Sequence, residues 1–237
     1  MKILAIDTSG PNCSVAVLDE QKVIGSFNLN IGKTHSETLL PLVDELLKFS
    51  GIELSEIDIF ACCIGPGSFT GIRIGISTIK GFALSLNKPV ISVSTLEGLA
   101  YNVTHFDGII CSILNANNNN VYSSLYKLTF MPEMIGDYLT DSIDSLIYEI
   151  KKHNQRVLFV GDGGIAYKEK IQNELKEKAI FVPQHLNEQS AISIARAALN
   201  KYNKGEIGDA FSIQPLYLRK SQAERLMDRE DACKCQK

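Results

Sequence analysis

Ile57-Asp58-Ile59-Phe60-Ala61-Cys62-Cys63-Ile64-Gly65-Pro66-Gly67-Ser68-Phe69-Thr70-Gly71-Ile72-Arg73 decides the fold class. Residues 57–64 are almost continuously apolar, as in a strand buried on both faces, and such strands belong to parallel sheets covered by helices. The glycines and proline at 65–67 turn the chain into a helix that the apolar pattern carries to about Leu86. Upstream, residues 3–6, 14–18 and 23–29 read as strands separated by Asp7-Thr8-Ser9-Gly10 and Asp19-Glu20-Gln21. Thr34 and Glu37 have capping-box spacing, and Leu39, Leu42, Val43, Leu46 and Leu47 follow at helical intervals until Gly51. Pro41 falls inside this helix, where a kink is expected. Residues 89–93 read as a buried strand and 95–102 as a short helix.

The pattern then restarts. Residues 108–114 and 121–130 flank Asn115-Ala116-Asn117-Asn118-Asn119-Asn120, a run that tolerates positive φ in a hairpin turn. A helix at 142–153, a strand at 156–160 ending in Gly161-Asp162-Gly163-Gly164, a helix at 165–178, a strand at 180–182 and a helix at 191–202 complete it. Hairpins followed by αβα, twice, predict a duplicated α/β protein. The expected division is 1–105, 106–220 and a polar tail at 221–237, with the last helix free to pack back on the first unit.

The composition fits a soluble globular protein: of 237 residues, 45% are hydrophobic and 22% charged. The net charge of −3 argues against an autonomous nucleic-acid binder, so RNA contact is expected through a complex. No apolar run approaches the ~20 residues of a membrane span, and Asp7 interrupts the first apolar run too early for a signal peptide, so a cytoplasmic location without membrane attachment is expected. Cys13, Cys62, Cys63 and Cys111 sit in apolar runs and read as buried thiols, whereas Cys233 and Cys235 lie in the tail.

The loop at 65–73 admits two readings. Its glycines could cradle phosphate at a helix N-terminus. Its spacing, however, fits neither the P-loop nor the dinucleotide fingerprint, and the simpler reading is a structural turn with Ser68 or Thr70 as helix cap. Asp7, Thr8 and Ser9 end the first strand, where an actin-like ATPase directs a carboxylate and hydroxyls at metal and phosphate. With Gly65, Gly67, Ser68, Thr70 and Arg73 they form a candidate vestigial nucleotide site or structural loop. The four histidines show no metal-binding spacing, and no metal or catalytic residues are assigned.

In the helix from residue 71, Gly71, Gly75, Thr78 and Phe82 share one face beside an Ile72, Ile76, Ile79 stripe, with Arg73, Ser77 and Lys80 opposite. Two helical glycines one turn apart cost about 1 kcal/mol each relative to alanine, which implies that another backbone comes close. That backbone belongs either to the chain's own sheet or to a partner. The predicted partner interface is Leu39, Leu42, Val43 and Leu46 with Gly71, Ile72, Gly75, Ile76 and Ile79.

Residues 3–9, His35-Ser36 before Leu39-Leu40-Pro41, the 65–75 block and Pro215-Leu216-Tyr217-Leu218-Arg219 together resemble the TsaB (YeaZ) family. The resemblance covers residues 3 to about 219. It implies a duplicated fold of the actin/Hsp70/sugar-kinase superfamily, related to ribonuclease H. It also implies a non-catalytic subunit that activates a TsaD-like transferase, alongside a TsaE-like ATPase, in forming N6-threonylcarbamoyladenosine beside the anticodon of tRNAs reading A-starting codons. No cofactor of its own is expected, although ATP or ADP could sit at the subunit junction, and a homodimer is compatible with the exposed helical face. TsaD carries His-Leu-Glu-Gly-His around the equivalent of Leu96-Glu97-Gly98, where its two histidines hold metal; here Thr95 and Leu99 stand in their places. The family's usual Asp-Ala-Arg is Asn115-Ala116-Asn117. The alternative from another class is a stand-alone ATPase or peptidase of the actin-like superfamily.

Overall fold

The computed structural model describes residues 1–219. The tail assignment at 221–237, with Cys233 and Cys235, lies outside the described residues. In the first half, β1 (Lys2–Asp7), β2 (Cys13–Asp19) and β3 (Val23–Leu29) form an antiparallel meander. Helix α1 (His35–Ser50) then leads to β4 (Ile59–Cys63), α2 (Phe69–Leu86), β5 (Val90–Val93) and α3 (Thr95–Ala100). β4 pairs parallel with β1, Ile3 opposite Ile59, and β5 parallel with β4, giving the order β3-β2-β1-β4-β5.

The second half repeats this plan with β6 (Ile109–Asn115), β7 (Asn120–Leu128), β8 (Pro132–Ser142), α4 (Ile143–His153), β9 (Val157–Val160), α5 (Asp162–Ala166), α6 (Lys168–Leu175), β10 (Ala179–Phe181) and α7 (Ala191–Asn203). Its sheet, read from the hairpin end, runs β8-β7-β6-β9-β10, the order of the first sheet. The duplication of the α/β unit is therefore present in the strand order itself.

Local chemistry sets the helix ends. Glu37 accepts from the Thr34 backbone N–H at 3.1 Å and from its hydroxyl at 2.6 Å, and Gly51 closes α1 at φ +63°. The helix runs through Pro41 to Ser50. Ser68 caps α2 by accepting from the Gly71 N–H at 3.2 Å.

Two elements differ from the sequence reading. β8 was not expected at all: its side chains are half-buried or exposed, so it carries little hydrophobic alternation. The expected helix at 165–178 starts instead at Asp162 and divides at Tyr167, whose φ of −111° lies outside the helical range.

The packing departs from the linear division near 105. Helices α1 and α2 bury Leu39, Val43, Leu46, Ile72, Ile76 and Ile79 against one face of the first sheet. The other face is covered by α7, through Ala191, Ile194, Ala195 and Ala198. Helix α3 leaves its own half and packs Leu96, Leu99 and Ala100 on Ile110, Leu114 and Tyr126 of the second sheet. The last helix thus returns to the first sheet, and α3 makes the reciprocal exchange onto the second.

Candidate functional site

The cleft between the halves opens at the ends of β1 and β6. Asp7 is 2% exposed, and its Oδ1 accepts from the Ser9 N–H at 2.9 Å and the Ser9 hydroxyl at 2.7 Å. Burial pushes its carboxyl above the ordinary range, and the Ser9 hydrogen bonds work against that shift. Thr8 donates its hydroxyl to the Gly71 carbonyl at 2.8 Å, and the Ser68 N–H donates to the Ser9 carbonyl at 2.7 Å. A Cβ on Gly67 would stand 2.2 Å from that same Ser9 carbonyl.

The loop at 65–68 therefore lies directly on the β1 turn, and its glycine is required by that approach. Three of the groups suited to phosphate or metal, Thr8 Oγ1, Ser9 Oγ and the Ser68 N–H, are engaged inside the protein. Gly65 and Gly67 form a turn packed on Ile72 and on the Ser9 carbonyl, and Ser68 caps α2. Thr70 is exposed, and Arg73 points away from the loop to donate to the Tyr217 hydroxyl at 2.7 Å, while Tyr217 stacks on Phe69 with centroids 4.5 Å apart.

The remaining cleft measures about 670 Å³ and brings together Lys33, His35, Asn117, Asp162 and Arg219 beside Ser9 and Gly67. Asp162 accepts from the Asn115 N–H at 3.0 Å, and burial raises its pKa. Arg219 reaches across to the Ala116 carbonyl at 3.3 Å. The cleft thus offers an ammonium and a guanidinium on its walls. Sequence reasoning singled out none of Lys33, Asp162 and Arg219 as cleft residues, because they come from segments with no common spacing.

The predicted interface residues are corrected by their burial. Leu39, Val43, Leu46, Gly71, Ile72, Gly75, Ile76 and Ile79 are buried in the chain's own core, and Leu42 packs partly against it. A Cβ on Gly75 would stand 2.5 Å from Thr8 Oγ1, and one on Gly71 would stand 2.1 Å from the Thr8 carbonyl. Gly71 therefore admits the backbone of Thr8 and Gly75 its side chain, both in the β1 turn. What α1 and α2 leave open is a groove of about 460 Å³ bordered by Leu40, Thr70, Arg73, Ile74, Ser77 and Thr78. The polar side of α2, not its isoleucine stripe, faces this groove. His35 lines both the groove and the cleft, donating through Nε2 to the Gly10 carbonyl, 3.0 Å away.

Thr95 and Leu99 occupy packed positions. The Thr95 hydroxyl donates to the Pro66 carbonyl at 2.7 Å and lies 3.1 Å from Cys63 Sγ. Leu99 belongs to the core beneath α3. Among the described residues, no three His, Cys, Asp or Glu side chains are grouped to hold a metal ion. Among the same residues, no helix is long and apolar enough to cross a membrane.

Comparison with known proteins places this arrangement. Residues 29–227 match the TsaD family, tRNA N6-adenosine threonylcarbamoyltransferase. The tRNA threonylcarbamoyladenosine biosynthesis protein TsaB of Bacillus subtilis is 35% identical over 231 residues, spanning 94% of this chain and 96% of that protein. The TsaB of Haemophilus influenzae is 29% identical over 92% of this chain and 94% of its own. The solved structure of YeaZ from Pseudomonas aeruginosa superimposes with a TM-score of 0.79 at 28% identity, covering 92% of this chain and 99% of that one. Within the wider group described by the TsaD match, the chain belongs to the TsaB family.

Proposed function

We propose that this protein is a non-catalytic subunit that binds and activates a TsaD-like threonylcarbamoyltransferase in the formation of N6-threonylcarbamoyladenosine on tRNA. The observation that carries this reading is the state of Thr95 and Leu99. In the resemblance to TsaD these positions correspond to metal-binding histidines, and here one is a hydroxyl bound to a carbonyl and the other an apolar core side chain. Neither side chain can serve as a metal ligand of ordinary strength.

The partner surface is the outward side of α1 and α2, where the groove lined by Leu40 and Ile74 would receive side chains of a helix from the TsaD-like subunit. A TsaE-like ATPase completes the assembly, and tRNA is held through the complex. ATP or ADP, where present, is assigned to the subunit junction. Asp7, Thr8 and Ser9 are committed to internal hydrogen bonds, which weighs against a stand-alone ATPase centre at the β1 turn.

Co-purification with the TsaD-like protein of the same cell, followed by a transfer assay, tests the proposal. The isolated chain is expected to modify no tRNA, and mixing is expected to restore modification. Modification by the chain alone, or absence of a complex, would refute it.

A further inference from the structure

The two helices that change sides meet between the sheets. At their crossing a Cβ on Gly98 would stand 2.6 Å from Ile194 Cδ1, so α3 and α7 are in close contact there. Polar contacts surround that point. Lys201 Nζ lies 2.9 Å from Glu97 Oε2, with both side chains largely withdrawn from solvent, and also donates to the Ser92 carbonyl at 3.0 Å. Asn200 donates to the Tyr101 hydroxyl at 2.8 Å. The Asn102 amide donates to the carbonyls of Leu186, at 2.8 Å, and Glu188, at 3.0 Å, while its Oδ1 accepts from the Ser193 hydroxyl.

Of these, the Glu97–Lys201, Tyr101–Asn200 and Asn102–Ser193 contacts join the α3 segment seated on the second sheet to the helix seated on the first. Rotation of one half against the other must separate Glu97 from Lys201 in a partly buried setting, where parting an ion pair leaves two poorly solvated charges. It must also part the Ser193 hydroxyl of α7 from Asn102 Oδ1 in a partly buried setting, where polar groups without partners are costly. Gly98 adds a steric constraint, because the helices are already too close for a side chain between them.

We propose that the α3–α7 crossing is an interlock that fixes the angle between the two halves, and with it the opening of the cleft. The cleft is a surface of constant shape, and ligands or partners engage it without closure of the halves. The inference is independent of which partner the groove receives.

Spin labels at Ser55→Cys and Glu177→Cys, one exposed position in each half, measure the angle in the full chain with Cys233→Ser and Cys235→Ser. The other four cysteines are buried and will not react. One narrow separation is expected, unchanged by saturating magnesium–ATP. Lys201→Met combined with Asn102→Ala is expected to spread it beyond the wild-type width, and Lys201→Arg to preserve it. Two separations in the wild type, a shift with magnesium–ATP, or an unchanged distribution in the double variant would overturn the proposal. If the double variant does not fold, hydrogen exchange of the wild type decides. Amides of α3 and α7 are expected to exchange only with global unfolding, and earlier opening of either helix would overturn the interlock.

Discussion

Gly75 shows how a residue can signal a close contact without naming its partner. Its helical position costs about 1 kcal/mol against alanine, and the return is the approach of Thr8 to α2. Gly75→Leu is therefore expected to lower the stability of the isolated chain by about 1–3 kcal/mol, several degrees in Tm by calorimetry. An unchanged Tm would mean that the β1 turn yields freely.

Asp7 gives a pH-dependent case. Burial raises its pKa in the folded state, so the native protein holds this proton to higher pH than the unfolded chain does. Stability from this group consequently falls as pH rises from the ordinary aspartate value of about 4 towards the raised native value, and the penalty persists above it. Asp7→Asn is expected to equal or exceed the wild type in stability at neutral pH, with the difference vanishing below about pH 4. The same variant should retain activation of the transferase. Loss of activation in a well-folded Asp7→Asn protein would instead point to a metal–nucleotide role for this carboxylate.

At the scale of elements, α1 and α2 were legible in outline. Their caps, lengths and apolar stripes follow from Thr34, Glu37, Gly51 and Ser68 and from the recurrence of leucine and isoleucine. Which surface each stripe meets was not legible, since burial against one's own sheet and burial against another subunit demand the same apolar side chains. β8 escaped detection for the opposite reason: half-buried and exposed at a sheet edge, it is held by backbone pairing with β7, which leaves little trace in side-chain pattern.

The groove supplies a test at this scale. Ser77 is exposed on its border, so Ser77→Arg is expected to change stability by no more than about 0.5 kcal/mol. Its bulk and charge should nevertheless weaken binding of the TsaD-like subunit at least about tenfold, or 1.4 kcal/mol, in a titration. Full affinity in this variant would move the interface off the groove.

For the whole molecule, a net charge of −3 offers little counterion release. The isolated chain is expected to bind tRNA no more tightly than about 1 μM at physiological salt. Submicromolar binding by the chain alone would contradict the assignment of RNA contact to the complex. The sequence by itself determined the α/β class, the duplication and most of the elements of each half, because these rest on periodicity, caps and turn residues that act over a few neighbouring positions. The motif residues that carry the TsaB resemblance were equally plain. Tertiary structure alone decided that α3 and α7 exchange sheets, that the 65–68 loop lies on the β1 turn, and that the interface stripes face inward. Each of these is a pairing between segments distant along the chain, and an apolar or glycine face specifies only that it must be covered, not by what.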